Sequence, residues 1–183
     1  ELRGRIFSVY RGGVTRGRFM ATLLNDLLRY WRTVCVDYRY KVEEDVKPWA
    51  IRVLKLRHSR KLWHLSNLAL QCASLQADDH DGHMSQRLGN PPLFTVCETL
   101  KAIGKLDRAA PLVTTYDNFL GKLADPAVRA ELDNLEYGKH QDSVVFQDLR
   151  KNAQTFQRAA ATVVWAMADV GIFRDHLERY VIL

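Results

Sequence analysis

The sequence predicts an all-α fold, and three observations carry that expectation. Apolar residues recur at three- and four-residue steps through long stretches at both ends of the chain. Prolines fall where helices begin, and Gly104 and Gly171 fall where helices end. The one β-branched run, Thr33-Val34-Cys35-Val36-Asp37-Tyr38, continues an unbroken helical period instead of starting a strand. The expected architecture is an irregular bundle of about 6–7 helices, with two long helices at the N-terminal end and one long helix near the C-terminus.

Residues 1–18 hold four glycines and five arginines and predict a loop or short extended lead, with Gly12-Gly13 as a turn. Leu23, Leu24, Leu27, Leu28, Trp31, Cys35 and Tyr38 then mark one face of a helix over roughly 19–42. Pro48 opens a second long helix to residue 75, with Ile51, Leu54, His58, Leu62, Leu65 and Ala69 on its apolar face. Residues 76–92 are polar, contain two glycines and two prolines and lack a period, which predicts a long exposed loop dividing the domain.

Shorter helices are expected beyond it: Pro92 to Ile103, stopped by Gly104, then Pro111 to Leu123, and then a segment capped by Asp125 and running to Leu135. Asp142 or Ser143 caps the last long helix, which runs to about Val170 with Leu149, Phe156, Val163 and Met167 inward. Residues 173–183 close the chain. Residues 1–183 thus read as a single helical domain: lead, basic helical pair at 19–75, loop, and bundle at 93–183.

No apolar run approaches the ~18 residues of a membrane helix, and no signal-peptide pattern opens the sequence. A soluble cytoplasmic protein that uses no membrane is expected. Cys35, Cys72 and Cys97 are too few and too scattered for a disulfide framework or a zinc site, and read as buried free thiols. Charge is unevenly distributed. Residues 1–61 hold 15 Lys and Arg against 6 Asp and Glu, an excess of +9, whereas residues 62–183 carry a net −3. That polarity fits a polyanion site, an acidic partner, or a solvated basic face.

The candidate site is where the polar rows of the first two long helices meet. Asn25, Asp26, Arg29, Arg32 and Asp37 lie on the first; Lys55, Arg57, Ser59, Arg60 and Lys61 crowd seven residues of the second. Packed on their leucine stripes, the two helices would turn both rows to one cleft, where guanidinium forks and ammonium groups suit phosphate oxygens. Asp26 and Asp37 would orient arginines there, or simply balance them on a solvated face. The tryptophans read as core or interface, with Trp49, beside the basic face, the candidate for base stacking.

Residues 23–68, LLNDLLRYWRTVCVDYRYKVEEDVKPWAIRVLKLRHSRKLWHLSNL, cover about a quarter of the chain. Through Leu24-Asn25-Asp26, Arg29-Tyr30-Trp31-Arg32-Thr33, Val36-Asp37-Tyr38, Lys47-Pro48-Trp49 and Lys55 to Leu62 they resemble the predicted nucleotidyltransferases of bacteria in the DNA polymerase β superfamily. The resemblance implies a C-terminal helical domain preceded by an α/β catalytic domain. It implies NTP and Mg²⁺ bound mainly by that other domain, and an acceptor of unknown kind. Asn25, Arg29, Arg32, Lys55, Arg57, Arg60 and Lys61 would then contact nucleotide or acceptor phosphates. The superfamily's Gly-Ser turn and spaced carboxylates on a strand are absent from these 183 residues. The expectation is therefore that the catalytic domain precedes Glu1 or has been lost, with Asp37 a third metal carboxylate only if it lies on a strand.

Two further patterns carry weaker chemistry. Arg52 with His58, and Arg57 with His64, fit the loose Arg-to-His spacing of HEPN-like ribonucleases, a pattern that any arginine-rich helix with two histidines produces. Asp78-Asp79-His80-Asp81-Gly82-His83 carries metal-ligand residue types without the spacing of an EF-hand, and reads as a solvated acidic loop with no metal assigned. An alternative to the nucleotidyltransferase reading is a non-catalytic module whose basic third binds RNA or an acidic partner, with oligomerisation as an accompanying property.

Overall fold

The computed structural model describes residues 2–11, 19–43 and 48–180. The fold is all-α, with no strand among the described residues. Helices α1 (Leu2–Arg11) and α2 (Phe19–Glu43) come first. A long rod follows, made of α3 (Trp49–Lys55), a π-helical turn (Leu56–Arg60) and α4 (Lys61–Ser74). Then come α5 (His80–Arg87), α6 (Pro92–Ala102), a 3₁₀ turn at Leu106–Ala109, α7 (Ala110–Ala124) and α8 (Pro126–Asn134). A 3₁₀ turn at Tyr137–Lys139, α9 (Val144–Ala168) and α10 (Gly171–Tyr180) complete the described chain.

The ends of these helices follow the local chemistry of the sequence. The Ser143 hydroxyl accepts from the Phe146 N–H at 3.1 Å, and Asp125 Oδ1 accepts from the Ala127 N–H at 2.8 Å, so both caps lie where the sequence places them. After α6, Gly104 adopts φ +72°. The Lys105 N–H reaches the Leu100 carbonyl at 2.8 Å and the Gly104 N–H reaches that of Lys101 at 3.0 Å, a Schellman stop.

Two expectations are corrected. Residues 2–11 form a helix instead of an extended lead, because Phe7 is buried against Leu23, Leu27, Leu70 and Met84, an apolar contact that outweighs the local glycine and arginine content. The Gly12-Gly13 turn lies outside the described residues. Within 76–92, the expected loop holds α5, which is capped by Asp79 Oδ1 accepting from the Gly82 N–H at 2.9 Å and anchored by buried Met84. The helix count also exceeds the expected six to seven, chiefly through these two elements.

Three apolar clusters are joined edge to edge. The largest lies among α2, α4, α6, α7, α9 and α10, around Leu24, Leu62, Leu112, Phe156 and Met167. The second lies beneath α3, α7, α8 and α9, around Leu54, Phe119, Leu132 and Leu149, and Tyr116 packs against both. The third sits under α1 and α5. The apolar stripe of the rod, from Ile51 through Leu54, His58, Leu62 and Leu65 to Ala69, is buried throughout, so this long element is the spine on which the clusters meet.

Candidate functional site

The π turn fixes the site. Within it His58 is wholly buried. Its ring stacks on Phe119 with centroids 4.0 Å apart and planes 4° from parallel, and lies 5.3 Å from Phe156. Its Nδ1 is 2.9 Å from the Leu54 carbonyl and its Nε2 is 2.8 Å from the Asn152 carboxamide on α9. Burial is the main cause holding the imidazole below its usual range, which keeps it neutral. The ring thus bridges the backbone of the rod and Asn152 Oδ1 of α9. Next to it, the Tyr116 hydroxyl donates to Ser59 Oγ at 3.2 Å. Two inward residues thus tie this turn to α9 and α7. A π turn is a rare local insertion that recurs at functional sites.

With His58 and Ser59 held inward, Arg57 of the turn opens onto a groove bordered by α2, α3 and α9. Arg57 and Arg150 line one recess of about 200 Å³, together with Tyr38, Trp49, Tyr137 and His140. Lys61 donates to Gln157 Oε1 of α9. Arg60 and Lys61 both act on Cys35 of α2, lowering its thiol pKa against a larger upward push from burial. Lys61 itself is held below the usual lysine range, first by burial and then by Arg57. Tyr38 is pushed up by burial and by the Tyr137 hydroxyl, and lowered by Arg57. Among the described residues no carboxylate pairs with Arg57 or Arg150.

Aromatic packing rigidifies the recess. Trp49 donates its indole N–H to the Leu135 carbonyl at 2.7 Å and meets Phe146 edge-on at 5.0 Å and Tyr137 edge-on at 5.1 Å. Tyr137 remains 70% exposed.

The site residues expected from sequence divide accordingly. Arg57 lines the recess, and Arg60 and Lys61 lie next along the rod near Cys35, whereas Lys55 is exposed on the preceding turn and Arg52 is half-buried on α3. Arg29 is exposed and pairs at 3.6 Å with Asp26, which also accepts from the Tyr10 hydroxyl, so that stretch of the row is internally neutralised. Arg32 is exposed and Asn25 half-buried on α2. Asp37 lies half-buried on α2, a helix and not a strand, which removes the condition attached to its metal role.

A general base must reach the attacking hydroxyl. His58, enclosed by Phe119, Phe156 and Asn152, is placed as a packing and hydrogen-bonding residue. The acidic stretch at 78–83 is occupied locally: His80 Nδ1 contacts the Ser74 carbonyl at 2.7 Å and His83 Nδ1 contacts Ser74 Oγ at 3.0 Å. Among the described residues no group of three or more His, Cys, Asp or Glu is placed to hold a metal ion. Tyr137, His140 and Arg150 were missed from sequence. For Tyr137 and His140 the only local signal was an interhelical break with an aromatic and basic residues, the kind of loop that carries function, whereas Arg150 lies within α9.

A second, larger cavity of about 820 Å³ opens between α2, α4, α9 and α10. Its floor is apolar and its cations are largely engaged: Lys105 and Arg174 share Asp169, and Arg108 lies 3.3 Å from Asp107. His64 lines it, stacked on Trp31 at 5.2 Å, with burial holding its pKa down to about 4. Trp165, expected in a core or an interface, is 73% exposed at this cavity. Despite its size, this cavity offers less to an anion than the smaller recess. Cys72 is buried, with its thiol pushed up to about 12, while Cys35 and Cys97 are half-buried; all three are free. Among the described residues no helix is long and apolar enough to cross a membrane.

Compared with family models, curated proteins and solved structures, the chain matches none.

Proposed function

We propose that this chain is the phosphate-binding helical domain of a nucleotidyltransferase-like protein, taking a nucleotide or an acceptor's phosphates into the groove between α2 and α9. The observation that carries the reading is the convergence of Arg57 and Arg150, without carboxylate partners among the described residues, on a recess walled by Tyr38, Trp49 and Tyr137. Guanidinium forks match phosphate oxygens, and aromatic faces accept bases.

The transferase half of the proposal rests on the resemblance of residues 23–68 alone. In that reading Mg²⁺ serves an α/β domain outside these residues. No carboxylate set among the described residues fits the ion, so the groove's own work is to bind and orient. The test is titration with ATP or GTP in the presence of Mg²⁺, followed by tryptophan fluorescence, with Trp49 as the reporter. Arg57→Glu combined with Arg150→Glu abolishes the response; a response unchanged by that double reversal sinks the reading.

A second reading, a protein-interaction module, draws on the exposure of Trp165 beside an apolar cavity. It requires concentration-dependent association in sedimentation that is lost in Trp165→Lys.

A further inference from the structure

The groove's proportions narrow the class of ligand, an inference that rests on the phosphate-binding reading above. The recess, at about 200 Å³, falls below the roughly 300–1,000 Å³ of pockets that enclose a whole small ligand. It has room for one planar base and not for the phosphates as well. Arg57 and Arg150 line it, and two more cations lie beyond it on the rod: Lys61, which donates to Gln157, and Arg60, both of which act on Cys35. A second aromatic surface is also available: Tyr137 meets Trp49 edge-on, yet stays 70% exposed.

We infer that the groove binds a single-stranded nucleic acid, with one base in the recess, a neighbouring base on the outer side of Tyr137, and consecutive backbone phosphates on Arg57 and Arg150 and then on Arg60 and Lys61. A mononucleotide uses only the first of these positions. Backbone cations and sequence-tolerant stacking are the two components of single-strand recognition, and both are present here. An A-form or B-form duplex keeps its bases stacked internally and offers none to the recess.

The experiment measures fluorescence anisotropy of labelled heptanucleotides, rU7 and dT7, against the intact chain, with UTP and a 7-base-pair duplex as competitors. Either heptanucleotide binding at least about tenfold tighter than UTP supports the inference. So does a salt dependence that flattens by about 0.7 log units per log salt for each of Arg60→Ala and Lys61→Ala. Tyr137→Ala weakens the heptanucleotide by about tenfold more than it weakens UTP, and Tyr137→Phe restores it. Equal affinity for UTP and the heptanucleotides, with Arg57→Glu and Arg150→Glu still abolishing both, overturns the strand reading and leaves the phosphate site standing. A preference for the duplex also overturns it. No binding of any of these probes overturns both readings.

Discussion

His58 on the π turn and Asn152 on α9 meet at 2.8 Å in the interior and lock the rod to the longest helix of the C-terminal half. Asn152→Ala leaves Nε2 of a buried ring without its partner, which costs about 1–3 kcal/mol. The expected result is a lower urea midpoint with unchanged slope. Groove binding weakens alongside it, because Arg57 loses its fixed neighbour. A midpoint equal to that of the unaltered chain contradicts the assignment.

Acid stability follows in part from His58 and His64, two of the three depressed histidines. His58 and His64 are neutral in the fold and protonate more readily when unfolded, so the unfolded state binds more protons once pH falls below about 6.5. Their contribution is therefore complete above that pH. For His64 it is lost progressively down to its folded value of about 4. Urea unfolding at pH 7.5, 6 and 5 should show falling stability, and His64→Gln should flatten part of that fall.

Gly104 occupies a left-handed conformation that a side chain disfavours. Gly104→Ala meets no neighbour within 4 Å, so its cost is conformational, about 1 kcal/mol, and is measured as a drop in melting temperature. Gly104→Asn should cost less, since asparagine tolerates this region.

Asp79 caps α5, and Asp79→Ala should remove about 1 kcal/mol. Amide exchange in 80–87 should quicken while exchange in α9 does not. Uniform quickening would show that α5 is not a separate unit.

The course of the helices was legible because their ends are written locally: Asp125, Ser143, Gly104 and the proline starts all act within a few residues of themselves. What escaped depends on remote partners. Phe7 makes α1 a helix only by burying against Leu23 and Met84, and the capping role of Asp79 was masked by an acidic run that resembles a metal motif. The π turn is invisible in a spacing pattern, since Leu54, His58 and Leu62 read straight through it. Half of the groove was legible as the Arg57–Lys61 cluster. Its other half, Tyr137, His140 and Arg150, joins only through the packing of α9 and the preceding turn. For Arg29 the sequence left two outcomes open, and the structure takes the second, a balancing pair with Asp26 on an exposed face.

The π turn also divides the rod between two masters. Upstream of it, Ile51 and Leu54 belong to the cluster under α8; downstream, Leu62 and Leu65 belong to the one shared with α2 and α6. Removing one residue from Leu56–Arg60 would let the helix wind regularly, but every side chain beyond the cut would then rotate by about 100° against its partners. The irregularity is thus a phase adjuster. It lets one uninterrupted helix serve two differently oriented interiors, and the groove lies at the point where the phase changes.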